Sequence, residues 1–251
     1  MSPDHRDLVG TDSVKAPPTR LGRLLRPVGR AVFNARWDVH VHGAEYVPPA
    51  GPVLLASNHV GVLDGPLLVA VAPRMVHALV KREMFDGGTG PLLHAVGQIK
   101  LERHDIDPAA VKSAVRVLRD GGVVGIYPEG TRGAGEVDHA HLGFAYLAMV
   151  TGAQVVPVAN LGTRDPGGST SSTPGRGSRL DIVFGPGVDV AKTPWPRRRG
   201  VVEPLAEQLR QRLARHVEYA VELTGQVLPG PVPDGRPDES APGEPMVGPA
   251  A

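Results

Sequence analysis

Seven short apolar runs alternate with stretches of helical period along this chain, and that alternation restricts the fold more than any other feature. The runs cover residues 38–42, 53–57, 76–80, 98–101, 123–127, 155–160 and 180–184. Most are rich in Val, Leu and Ile and bounded by Gly, Pro or Asp, as strands are. Helices are expected at 66–71, 109–119, 139–151 and 204–224. The helix at 109–119 has the clearest ends, with Asp107 as N-cap, Pro108 at the first helical position and Gly121 just past the last. Its Val111, Val115 and Leu118 share one face, and the last helix steps through Leu205, Leu209, Leu213, Val217 and Val221 before Gly225. Strands separated by helices need crossover connections, so the expected class is α/β, a largely parallel central sheet with helices on both faces. Such a sheet gathers its functional loops at the carboxyl ends of its strands.

The length of 251 residues suits one such domain with flexible ends. Residues 1–19 and 226–251 read as disordered tails, the second rich in Pro and Gly, around a domain at 20–225. Within it, residues 165–178 have no period and read as a mobile surface loop. There is no cysteine, which excludes disulfides, thiolate metal sites and a Cys nucleophile and fits a cytosolic address. A net charge of +1 gives no bulk attraction to nucleic acid. Residues 20–37 mix Arg20, Arg23, Arg26, Arg30 and Arg36 with Leu21, Leu24, Leu25, Val28, Val32, Phe33 and Trp37. This reads as a basic amphipathic segment for a membrane surface, broken by Pro27 into two short helices. The alternative is a segment packed on the domain with solvated arginines. No apolar run approaches a bilayer span and no signal peptide is visible, so the expected address is peripheral, on the cytoplasmic face of the cell membrane.

Four places combine a strand with residues able to do chemistry. Asn58 and His59 follow the run at 53–57, with Asp64 beyond them. Imidazole is suited to taking a proton near neutral pH, and a carboxylate on its far nitrogen fixes the tautomer. On a helix that spacing puts the two about 140° apart, so the pair works only with His59 in a turn and Asp64 at a helix start. Read blandly, His59 is a loop histidine and Asp64 a helix cap. Next come Pro128, Glu129, Gly130, Thr131 and Arg132, a turn whose Arg fork, hydroxyl and backbone amides form a plausible anion cradle. It lacks the ending of a nucleotide P-loop, and its bland reading is a Gly-rich turn with a surface ion pair. Arg103 ends the run from Gly97, where a solvated strand-end charge is the ordinary reading, and Pro157 interrupts another run, which suits an edge or a bulge.

In order and spacing these motifs resemble the glycerolipid acyltransferase family typified by 1-acylglycerol-3-phosphate acyltransferases. The resemblance rests on His59 and Asp64, Gly97 to Arg103, Pro128 to Arg132, and Val156-Pro157, and covers roughly residues 37–190. Three positions depart from the family pattern: Gly61 for a small hydroxyl residue, Lys100 for an aromatic or apolar one, and His141 for a basic one. All three touch the region expected to hold the acceptor.

The resemblance implies direct attack without an acyl-enzyme. His59 would take the acceptor's hydroxyl proton and Asp64 would orient His59. Arg103 and Arg132 would hold the acceptor phosphate, with Glu129, Gly130 and Thr131 shaping its pocket and Asn58, Gly97, Pro128 and Pro157 supporting the motifs. The donor would be acyl-CoA or an acyl carrier protein, with no cofactor and no metal, and the acceptor 1-acylglycerol 3-phosphate, giving phosphatidic acid. Glycerol 3-phosphate, another lysophospholipid and a lipid alcohol remain open as acceptors, as does a non-catalytic lipid-binding relative. The chain lacks the Gly-x-Ser-x-Gly elbow of an α/β-hydrolase and the His-Glu-x-x-His set of a zinc hydrolase.

Overall fold

The computed structural model describes residues 9–102 and 107–232. Its strands are β1 (Asp38–His42), β2 (Val53–Ser57), β3 (Val76–Lys81), β4 (Ile99–Leu101), β5 (Val123–Ile126), β6 (Gln154–Leu161) and β7 (Arg179–Phe184). Its helices are α1 (Arg20–Arg36), α2 (Asp64–Val71), α3 (Arg82–Asp86), α4 (Gly90–Ala95), α5 (Pro108–Arg119), α6 (Gly143–Thr151) and α7 (Arg199–Thr224). The strands form one sheet in the order β1-β7-β6-β2-β5-β3-β4. β2 lies parallel to β5 and β6, and β3 parallel to β4 and β5, while β7 turns antiparallel against β6 and carries β1 parallel to itself. The carboxyl ends of the central strands and the start of β7 therefore share one edge of the sheet.

Alternation along β2 builds both layers. Leu54 and Ala56 pack with Val115, Leu118, Phe144, Leu147 and Leu213 of α5, α6 and α7. Val53 and Leu55 pack on the other face with Leu67 and Leu68 of α2 and Phe33 of α1. The cap expected at Asp107 forms, its carboxylate accepting from the Ala109 and Ala110 amides at 2.9 Å. The expected α/β class and the helices on both faces are as observed.

Several features differ from expectation. α1 is one helix through Pro27, not two. Pro27 is exposed, so the Arg23 carbonyl it leaves unpaired can take water, while Gly22 and Phe33 on either side are buried. Pro157 sits in β6, an interior strand between β7 and β2, rather than at an edge. Its carbonyl accepts from the Gly185 amide just where β7 has ended, so the missing N–H also points to that side and the ladder to β2 is intact. The chain also stays packed beyond 225: Gln226 donates to Arg179 O and Asp181, and the Gly167 amide donates to Pro229 O. Residues 226–232, assigned to the tail by composition, thus lie against the domain. At the other end Arg119 donates to Val9 O, inside the expected N-terminal tail.

Candidate active site

β2 ends at Ser57 and delivers Asn58 and His59 to the shared edge of the sheet. Asn58 is fully buried and staples the ends of β2 and β6, donating to Asn160 O at 3.2 Å and accepting from the Asn160 amide at 2.8 Å. The turn after His59 returns the chain to Asp64, the first residue of α2. There the Asp64 Oδ2 stands 2.7 Å from His59 Nδ1 and also accepts from the Val60 and Gly61 amides at 2.7 and 2.9 Å. The same carboxylate thus organises the turn and engages the ring. The Asp64 side chain is fully buried and that of His59 is 17% exposed. With Nδ1 taken by the carboxylate, Nε2 is the ring nitrogen left to receive a proton. Tyr127 backs the imidazole, its ring stacked 4.3 Å away, and burial beside Asp64 pushes its phenol well above the usual range.

The turn after β5 lies against this pair. Glu129 is 4% exposed and points inward, its Oε1 accepting from the His59 amide at 2.9 Å, while the Gly133 amide donates to His59 O. The carboxyl expected to shape the phosphate pocket thus holds the histidine's backbone. Burial pushes Glu129 up to about 7, the hydrogen bond from His59 opposes this, and the charges of Asp64 and Asp138 add to it. Gly130 has a φ of +71°, and a Cβ there would lie 2.7 Å from the His141 ring, so both backbone and space demand glycine. Arg132 donates to Thr170 O at 3.4 Å, and its Nε is buried with no protein partner among the described residues. Thr131 lies between them in the same turn, and the Pro128 carbonyl accepts from the His141 amide.

His59, Asp64, Asn58 and residues 128–132 are thus brought together at one edge of the sheet. Gly97 is not. It precedes β4, at the opposite end of the strands, with a φ of +74° and the Pro18 carbonyl 2.0 Å from where a Cβ would stand. Pro157 lies mid-strand, away from the strand ends, and Arg103 falls outside the described residues. Lys81, at the carboxyl end of β3, and Thr163, just past β6, stand at the same edge without having been singled out in the sequence. Thr163 Oγ1 is 2.5 Å from Asp64 Oδ1. Among the described residues no group of three or more His, Asp or Glu side chains could hold a metal ion, and no helix is long and apolar enough to cross a membrane.

A sequence profile of the acyltransferase family matches residues 38–160, a span that contains the dyad and the turn after β5. The 1-acyl-sn-glycerol-3-phosphate acyltransferase of Bacillus subtilis is 28% identical over 135 residues, covering 53% of this chain and 67% of that protein. The beta form of 1-acyl-sn-glycerol-3-phosphate acyltransferase from Homo sapiens is 33% identical over 154 residues, covering 54% of this chain and 55% of that one. Among the first relatives matched, the chain spans from 41% to 67% of their length. The crystal structure of the 1-acyl-sn-glycerophosphate (LPA) acyltransferase from Thermotoga maritima superposes with a TM-score of 0.59 at 20% identity, over 79% of this chain and 80% of that one. The sheet and its flanking helices are therefore a shared fold.

Glu129 gives the site a measurable pH dependence. Its value of about 7 in the folded protein exceeds the ordinary 4.5, so it binds more protons folded than unfolded. Its contribution to stability is fully present below about 4.5 and is lost as pH rises through about 7, a change on the order of 3 kcal/mol. Glu129→Gln keeps the acceptor for the His59 amide and removes the titration. Urea unfolding across this range should show wild type losing stability relative to the variant; parallel curves would remove Glu129 as the cause.

Proposed function

We propose that the chain is a glycerolipid acyltransferase that transfers a fatty acyl chain from an acyl thioester to the hydroxyl of 1-acylglycerol 3-phosphate, giving phosphatidic acid. The observation that carries this reading is the His59 Nδ1–Asp64 Oδ2 contact of 2.7 Å beside the turn holding Arg132. His59 Nε2 takes the proton of the acceptor hydroxyl as its oxygen attacks the thioester carbonyl. The tetrahedral adduct collapses, the C–S bond breaks, and the imidazolium returns the proton to the departing thiolate. Asp64 keeps the proton on Nδ1 and balances the imidazolium charge. The Arg132 guanidinium, with its buried unpaired Nε, and the Thr131 hydroxyl receive the acceptor phosphate. Arg103 is assigned the same role from its motif alone. The donor is acyl-CoA or an acyl carrier protein, and no step calls for a metal or a cofactor.

Thiol release from oleoyl-CoA tests this directly, with lysophosphatidic acid, glycerol 3-phosphate or no acceptor. Release should require lysophosphatidic acid and fall by about a hundredfold or more in His59→Ala. Near-normal turnover in that variant would remove His59 as the base, and release driven only by glycerol 3-phosphate would reassign the acceptor.

Membrane access is assigned to α1. Gly22 and Phe33 face the domain, whereas Leu24, Val28 and Val32 are 71%, 55% and 59% exposed and form a stripe at three- and four-residue spacing with Leu21. By helical period Arg20 and Arg36, both exposed, flank this stripe, each worth about 1 kcal/mol against an anionic surface. We infer peripheral docking from the cytoplasmic side through this face. The protein should float with liposomes containing anionic lipid, and Leu24→Asp with Val28→Asp should cut the bound fraction by about tenfold. Equal flotation of the two proteins would rule out this face.

A further inference from the structure

The mechanism above uses one oxygen of Asp64. Oδ2 is occupied by His59 Nδ1 and by the Val60 and Gly61 amides. Those three contacts leave Oδ1 to the far side of the carboxylate, towards the chain that emerges from β6. There Thr163 places its hydroxyl 2.5 Å from Oδ1 and is itself fully buried. We propose that Thr163 is a positioning residue for the dyad, its hydroxyl fixing the plane of the Asp64 carboxylate and through it the orientation of the His59 ring.

The torsion that turns a carboxylate about its last carbon–carbon bond is broad and poorly restrained by sterics. Three donors on one oxygen pin that oxygen but resist rotation of the group weakly. A donor on the second oxygen closes this freedom. A threonine hydroxyl has one proton to give, and here the acceptor is the buried carboxylate facing it, 99 residues away in sequence.

The surroundings fix the hydroxyl in turn. A Cβ at Gly61 would stand 2.9 Å from the Thr163 carbonyl oxygen and 3.3 Å from Arg164 Cβ. The missing side chain at 61 is thus the space that lets the segment after β6 approach the dyad. Arg164, 2% exposed, anchors that segment with donors to Gly168 O, Gly133 O and Gly230 O. Gly133 is the residue whose amide donates to His59 O, so one buried arginine ties the backbone of Thr163 to that of His59.

This role rests on the reading of His59 as the base, and the test separates the two. Wild type, His59→Ala, Thr163→Val, Thr163→Ser and Gly61→Ala are compared by oleoyl-CoA thiol release with lysophosphatidic acid and by the NMR resonance of the His59 Nδ1 proton. Thr163→Val keeps the shape and loses the hydroxyl. It should lower kcat by about ten- to a hundredfold with KM for both substrates within about twofold, as expected for a misplaced base. Thr163→Ser should restore kcat to within about threefold of wild type. Gly61→Ala should behave like Thr163→Val, because the new methyl group pushes the segment away. The Nδ1 proton resonance should shift or broaden in Thr163→Val and stay in Thr163→Ser. Wild-type kcat in Thr163→Val, a serine variant as impaired as the valine one, or an unmoved resonance would each overturn the proposal. Full activity in His59→Ala would instead sink the base assignment, and the resonance would still decide whether Thr163 holds the carboxylate.

Discussion

The Asp64 carboxylate is where three separate stretches of chain meet. It accepts from the His59 ring and two amides of the turn that follows β2, and from a hydroxyl delivered by β6, while its own backbone begins α2. A fully buried carboxylate is costly unless its oxygens are satisfied, and here the satisfying donors are the parts that make the site. The turn could not close without it, because the Val60 and Gly61 amides would lie buried without an acceptor. One group thus serves as turn-former and as orienter of the imidazole. A helix-cap reading and a catalytic reading of Asp64 are compatible for that reason.

Around this centre the sheet supplies rigidity and the loops supply contacts. β2, β5 and β6 are adjacent, so the ends that carry His59, the turn at 128–132 and Thr163 are held about a strand spacing apart. Asn58 and Asn160 fasten two of those ends, and Glu129 fastens the third to the His59 amide. Arg164 then draws in Gly168 and Gly230, so the loop at 165–178 and the end of the packed chain share an anchor with the site.

Much of this frame was legible in the sequence, and for identifiable reasons. β2 falls on the run 53–57, because a central strand covered on both faces reads as a bounded apolar segment, and the edge strand β1 falls on 38–42 through the alternation of Val39 and Val41 with Asp38, His40 and His42. α3 and α4 leave no periodic mark in the sequence, since five or six residues do not establish a helical period. α6 starts at Gly143 instead of 139, because His139 and His141 serve the turn after β5 by contacts to Glu129 O and Pro128 O. α7 starts at Arg199, with Pro204 inside it rather than opening it. The dyad could be read because its members are close in sequence, whereas Thr163 could not, because its partner is 99 residues away. Glu129 was found as part of a motif, but the inward turn of its carboxyl depends on packing that no local pattern encodes.

The most direct test of the account is the turnover of Asp64→Asn, measured as acyl transfer from oleoyl-CoA to lysophosphatidic acid on protein that unfolds cooperatively. The amide keeps the size of the carboxylate but cannot accept from both His59 Nδ1 and the two amides while balancing an imidazolium. A fall in kcat of about a hundredfold or more, with KM little changed, is the predicted result. Turnover near that of wild type would show that the carboxylate only shapes the turn, and would contradict the account.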